Sequence, residues 1–211
     1  MKQVIAYGDS NTWGLNAVLH SRYPEHIRWT GILRGRLSRA GFRLAEEGLC
    51  GRTTVFEDPH RSGMNGAKDV AGVLDRNPGA AAAIVMLGTN DCKKAFGAEA
   101  EQIGAGLECV LDEFERRIRP ENILVISPVI LGKDVWKPEK DPDFDRRSVR
   151  VSADLKAVYE RLARRRGHLF LAASDYVHPS ACDDEHLDAE GHEILADAVW
   201  KILTEYGPAS V

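Results

Sequence analysis

Short apolar runs alternate along this chain with longer stretches whose apolar residues recur every three or four positions. These are the periods of buried strands and of amphipathic helices. Val4 to Tyr7 reads as a buried strand ending in Gly8. Trp29, Ile32, Leu33 and Leu37 then fall at helical spacing, with Gly41 as the stop. A second strand runs through Phe42 and Leu44 toward Glu47, and a short helix around Val70, Val73 and Leu74 ends at Asn77-Pro78-Gly79. Ala82 to Leu87 is apolar throughout, as suits a central strand covered on both faces. Ile103, Leu107, Val110, Leu111 and Phe114 share a helical face, and Ile123 to Ile126 is the next strand, closed by Ser127-Pro128. Val151, Leu155, Val158, Tyr159 and Leu162 mark another helix. Its last turn, Arg164-Arg165-Arg166 before Gly167, is a cationic helix end rather than a binding patch. His168 to Leu171 is a fifth strand. Asp188 then caps a final helix whose buried stripe is Ile194, Leu195, Ala198, Val199, Ile202 and Leu203.

Strict strand–helix alternation predicts an α/β fold: a five-stranded parallel sheet covered by helices on both sides, with right-handed crossovers. The 211 residues suit one domain spanning 1–211, and neither an internal repeat nor a linker interrupts them. Two polar segments, Asn16 to Glu25 and Gly132 to Arg147, are too long for simple connections and are expected to serve function.

Composition narrows the partners. A net charge of -4 gives no reason to expect nucleic acid or an anionic membrane. No apolar run reaches the roughly 18 residues of a membrane span, and the start shows no secretory leader, so a cytoplasmic location is the expectation. The four cysteines, Cys50, Cys92, Cys109 and Cys182, form no CxxC pair and suggest neither zinc nor a disulfide framework. Three of them lie beside motif residues and read as small apolar packing.

Chemistry-bearing residues cluster in four blocks: Gly8-Asp9-Ser10-Asn11, Gly48-Leu49-Cys50-Gly51, Gly88-Thr89-Asn90-Asp91 and Asp183-Asp184-Glu185-His186. In open parallel sheets, ligands bind outside the carboxyl ends of the strands, and topology alone brings these blocks to that edge. Ser10 is the candidate nucleophile, which needs a neighbouring base to be reactive. His186 is the candidate base and Asp183 the group that orients it. Acyl transfer passes through an oxyanion, for which the backbone N–H groups of Ser10 and Gly51 and the side-chain amide of Asn90 are the candidate donors. The rivals His192 and Asp188 have structural roles, within the last helix and at its cap, and His178 is a loop residue. Asp9 and Asp91 brace their loops. The first block lacks the last glycine of GxSxG, which argues against an ordinary α/β-hydrolase.

In this order the blocks resemble the SGNH (GDSL-type) esterase superfamily, named for its Ser, Gly, Asn and His blocks. Gly8 to Gly14, Arg28-Trp29-Thr30-Gly31, Glu46 to Thr54, Asn65-Gly66-Ala67 and Val85 to Asp91 are similar to its small arylesterase/acyltransferase branch. The resemblance implies a flavodoxin-like three-layer α/β/α sandwich and a Ser-His-Asp carboxyl-ester hydrolase without metal or other cofactor. It further implies short acyl chains, acetyl to butyryl, acyl transfer to alcohols, and a homo-oligomer with a small-molecule ester as substrate. Carbohydrate O-deacetylation would use the same machinery. Three positions depart from the family pattern: Asn11 stands for the common leucine, Asp184 for a glycine before the histidine, and Gly48 near an expected asparagine.

Trp13, three residues after the serine, either shortens the acyl pocket or anchors the core. Val135-Trp136 and Phe144, in the second long loop, are expected to offer the apolar contacts for assembly. Two other classes compete. A metal-dependent hydrolase built on Asp183, His186, Asp188 and His192 leaves Ser10, Gly51 and Asn90 without roles. A non-catalytic flavodoxin-like binding module would make the serine–histidine pairing coincidental.

Overall fold

The computed structural model describes residues 2–207. In chain order these form β1 (Lys2–Gly8), the single turn α1 (Ser10–Trp13), a small hairpin of β2 (Leu15–Asn16) and β3 (Ser21–Arg22), and α2 (Trp29–Arg39). There follow β4 (Phe42–Gly48), α3 (Gly66–Arg76), β5 (Ala80–Met86), α4 (Ala100–Glu115), β6 (Ile123–Ser127), α5 (Arg146–Arg166), β7 (Leu169–Ala172) and α6 (Ala189–Glu205). Five strands pair in the order β4-β1-β5-β6-β7, every neighbour parallel. The hairpin is the antiparallel exception and lies outside the main sheet.

Period-two alternation within the strands sends side chains to two separate cores. Ile5, Tyr7, Ala83, Val85, Ile123 and Val125 pack under the helices α3, α4 and α5. Val4, Ala6, Ile84, Met86, Leu124 and Ile126 face α2 and α6 on the other side. The result is the expected α/β/α sandwich. The order in which strands are added reverses at β1: β4 joins it on one side, and the chain then returns to add β5 on the other. Such a switch point opens a crevice at the carboxyl edge, and the loops after β1 and β5 carry Ser10 and Asn90.

Some sequence expectations change. Val135 and Phe144 are fully buried in the α3–α5 core. The loop of residues 132–147 therefore folds onto its own chain, and these side chains cannot serve an interface between copies. Trp136 is partly buried beneath Arg146, whose guanidinium carbon lies 4.8 Å from the ring centre. In α6 the buried stripe runs through His192, Leu195, Ala196, Val199 and Leu203, while Ile194 is exposed. One residue turns a helix by about 100°, so Ile194 points off the face its neighbours fill. The arginine turn at the end of α5 is a structural end: Arg166 pairs with Asp112 and Glu115 on α4, and Gly167 closes the helix in the left-handed conformation. Among the described residues no helix is long and apolar enough to cross a membrane.

Candidate active site

β1 delivers the chain to the carboxyl edge at Gly8, and Asp9 then caps α1 by accepting the Asn11 N–H at 3.0 Å. Ser10 opens that turn and is nearly buried. On the opposite wall, the loop between β7 and α6 is curled by one carboxylate oxygen. Asp183 Oδ1 accepts the N–H groups of Glu185 and His186, each at 3.0 Å. Its second oxygen accepts from His186 Nδ1 at 2.6 Å, and His186 Nε2 lies 2.8 Å from Ser10 Oγ. With Nδ1 donating to the carboxylate, Nε2 presents its lone pair to the serine hydroxyl. Ser10, His186 and Asp183 thus form one hydrogen-bonded line.

Asn11 ties the two walls together. Its Nδ2 donates to the Glu185 carbonyl at 3.2 Å and its Oδ1 accepts the Leu187 N–H at 2.9 Å. A leucine in its place could make neither bond. The other two departures have local reasons as well. A Cβ at Gly48 would stand 2.3 Å from the Trp13 nitrogen, so α1 can seat on β4 only without one. Asp184 adopts φ +60°, a conformation natural to glycine. The loop after β6 holds it there: its carbonyl accepts Gly132 N–H at 2.7 Å, and its Oδ2 meets Asp134 N–H at 3.1 Å and Lys140 Nζ at 2.7 Å.

The other candidate donors for an oxyanion lie in the second and third blocks. Gly51 sits at φ +89° beneath the Arg61 guanidinium. Asn90 opens a short 3-10 turn after β5, and its amide donates to the Arg52 carbonyl at 3.2 Å. An amide has two N–H groups, so a second remains available. Asp91 accepts both the backbone N–H and the hydroxyl of Thr54, the former at 2.9 Å. Arg52 Nη1 donates to the Gly8 carbonyl at 2.8 Å, which joins the second block to the end of β1.

Burial and charge set the protonation states. Burial pushes Asp9 and Asp91 up to about 6. Burial also works to raise Asp183, but the His186 hydrogen bond and charge, with the two backbone N–H groups, outweigh it and hold the carboxyl below its usual range. For His186 burial favours the neutral ring, yet the Glu185 and Asp183 carboxylates prevail and raise it to about 9. His192 is the opposite case. It is fully buried, pushed down to about 4 by burial, and its Nδ1 accepts the Trp29 N–H at 3.4 Å. It is a neutral core residue, and Asp188 caps α6 through the Gly191 N–H.

A cleft of about 280 Å³ opens beside His186, with Leu15, Ala17 and His20 of the hairpin forming part of its wall. Trp13 is not among its lining residues. The Trp13 ring is half-buried and lies 5.6 Å from the Arg22 guanidinium carbon. Arg22 in turn binds the Trp13 carbonyl and Glu46, the carboxylate that Arg28 and Thr30 also hold. Cys182 is exposed on the cleft rim and Cys50 is half-exposed, so of the cysteines beside the blocks only Cys92 packs inside. Asp183, Glu185 and His186 offer three ligand atoms within 4.8 Å of one another. Both ring nitrogens of His186 are already engaged by Asp183 and Ser10, which leaves no free lone pair for a cation. A larger hollow of about 610 Å³ lies between α2 and α6, lined by Arg36, Arg39, Ala40, Asp197 and Trp200. It holds no nucleophile–base pair, and Arg36 is already paired with Asp197.

A parallel α/β/α sandwich with a serine, a histidine and an aspartate in line at its carboxyl edge is the architecture of a hydrolase. The chain belongs to the GDSL-like Lipase/Acylhydrolase family, whose sequence profile matches residues 6–194, and it is an ester-hydrolysing enzyme. Its solved structural relatives include Est24, a carbohydrate acetylesterase from Sinorhizobium meliloti, at 31% identity and TM-score 0.82, covering 96% of this chain and 100% of the other. A second carbohydrate acetylesterase family member from that organism matches at 28% identity and TM-score 0.86, over 97% and 98%. The M. smegmatis aryl esterase matches at 26% identity and TM-score 0.86, over 98% and 100%. No curated protein matches the chain.

Proposed function

We propose that this enzyme hydrolyses esters of short acyl chains, acetyl to butyryl, through a Ser10–His186–Asp183 triad and an acyl-enzyme. The observation that carries the reading is the unbroken line from Asp183 through both nitrogens of His186 to Ser10 Oγ, at 2.6 and 2.8 Å. As Ser10 Oγ bonds to the ester carbonyl carbon, its proton passes to His186 Nε2, and Asp183 stabilises the imidazolium. The Ser10 and Gly51 N–H groups and the free Asn90 N–H receive the oxyanion. Collapse breaks the carbon–oxygen bond of the alcohol half, which leaves with the proton from Nε2. Water then repeats the sequence on the acyl-enzyme and returns Ser10; an added alcohol in place of water gives acyl transfer.

A cleft of about 280 Å³ is at the small end for ligand sites and supports a small ester. A second reading, removal of acetyl groups from carbohydrates by the same steps, is favoured by the likeness to two carbohydrate acetylesterases. Ser10→Ala should abolish ester hydrolysis and leave the circular dichroism spectrum unchanged, because the hydroxyl is needed only for chemistry. A series of p-nitrophenyl esters should peak between two and four acyl carbons. An optimum beyond about eight carbons would contradict the short-acyl reading.

A further inference from the structure

One acidic side chain at the reacting centre has no part in the steps above. Glu185 lies between Asp183 and His186, and only 7% of its side chain is exposed. Its backbone is fixed at both ends, the N–H on Asp183 Oδ1 and the carbonyl on Asn11 Nδ2. Its carboxylate nevertheless makes no hydrogen bond among the described residues, and Oε1 lies 3.7 Å from His186 Nε2. Buried carboxylates are expensive without partners, and nearly all buried polar groups have one. The two lysines on this side are already committed, Lys93 to Asp143 at 3.2 Å and Lys140 to Asp184 at 2.7 Å. Asp141, the other acid that bears on Glu185 from the loop after β6, adds only repulsion. For packing alone an apolar side chain would serve better.

What distinguishes the position is the nitrogen it adjoins. His186 Nε2 hands the proton to the departing alcohol, so that oxygen must come within about 3 Å of it. Glu185 lines the cleft with His186, and its Oε1, 3.7 Å from Nε2, stands beside the nitrogen that the departing alcohol approaches. A hydroxyl on the carbon next to the ester-bearing carbon stands close enough to the departing oxygen to reach this acceptor. We propose that Glu185 is a specificity-determining residue: its carboxylate accepts a hydrogen bond from that neighbouring hydroxyl, so the enzyme favours monoesters of vicinal diols and polyols over esters of simple alcohols. The inference rests on the esterase reading of the site. It adds a substrate class that the triad cannot express, because the triad acts on the carbonyl all esters share. A hydrogen bond to a charged group supports a preference of about ten- to a hundredfold.

The test compares kcat/KM for 2-hydroxyethyl acetate and propyl acetate, which have the same number of heavy atoms and the same acyl group. The wild type should favour the hydroxylated ester about tenfold or more. Glu185→Leu should bring the ratio close to one, and Glu185→Gln, whose amide oxygen still accepts, should keep an intermediate ratio. A purely structural role would lower both rates together and leave the ratio unmoved. Cleavage that depends on Ser10 with a wild-type ratio near one overturns the proposal alone, and so does an unchanged ratio in Glu185→Leu. Should the leucine variant fail to fold, the wild-type ratio and the glutamine variant decide. A wild type that cleaves neither ester in a Ser10-dependent way overturns the esterase reading and this proposal together.

Discussion

Asn90 spends one amide N–H on the Arg52 carbonyl and has a second to donate, which the proposed mechanism gives to the reacting oxygen. In the proposed mechanism that second bond strengthens only as the oxyanion forms. Asn90→Ala should therefore lower kcat by roughly 100-fold or more with KM changed less, as steady-state kinetics would show. An unchanged kcat would remove Asn90 from the mechanism. In the same mechanism the acid–base behaviour rests on His186, which must be neutral to take the serine proton. Glu185 and Asp183 raise it to about 9 against the effect of burial. The wild-type kcat/KM should therefore keep rising with pH well above 7 instead of levelling near the ordinary histidine value of about 6.5. Glu185→Gln removes the first of the raising charges, so its ascending limb should move to lower pH. Asp183, Asp9, Asp141 and Lys93 remain around the site in that variant, so the shift reports Glu185 itself. An identical profile in both proteins would contradict the assigned cause.

At the scale of elements, the nucleophile turn and the histidine loop are joined by Asn11, across a separation of 174 to 176 residues. Asn11→Ala leaves a buried N–H of Leu187 and the Glu185 carbonyl without partners, at a cost of about 1–3 kcal/mol. Lower thermal stability and a reduced kcat should appear together, in calorimetry and in kinetics. The loop after β6 braces the same histidine loop from behind. A Cβ at Gly132 would stand 2.2 Å from Asp184 Cγ. Gly132→Ala should therefore displace Asp184 and lower both stability and kcat, whereas an unaffected enzyme would show that this loop does not hold the histidine in place. Much of this was legible in the sequence. Four of the main strands announce themselves by unbroken apolar runs, β4 only by Phe42 and Leu44 among charged residues, and Asp188 by its place before an amphipathic stretch. Other parts were not. β2 and β3 pair only two residues each, with Leu15 the one apolar side chain among them, so no periodicity marks them. Val135 and Phe144 are single apolar residues in a polar loop, and their burial depends on tertiary packing. The same holds for Glu185: its spacing places it beside His186, but only the backbone bonds of the loop turn its side chain toward Nε2.

Across the whole molecule, loops after β1, β4, β5 and β7 converge because a parallel sheet points all its carboxyl ends one way. Ser10 and His186 meet across a separation of 176 residues, so the site exists only when the sheet and both of its cores are formed. In a urea titration, esterase activity and near-ultraviolet circular dichroism should fall in one transition. Activity lost well before the spectrum would show that the histidine loop detaches on its own. In the proposed mechanism Ser10 Oγ is the atom acylated, and the most direct test is to map the site of covalent modification. A fluorophosphonate should add once per chain, and peptide mass spectrometry should place the adduct on Ser10, with none formed in Ser10→Ala. An adduct on another residue, or undiminished hydrolysis by Ser10→Ala, would contradict the account.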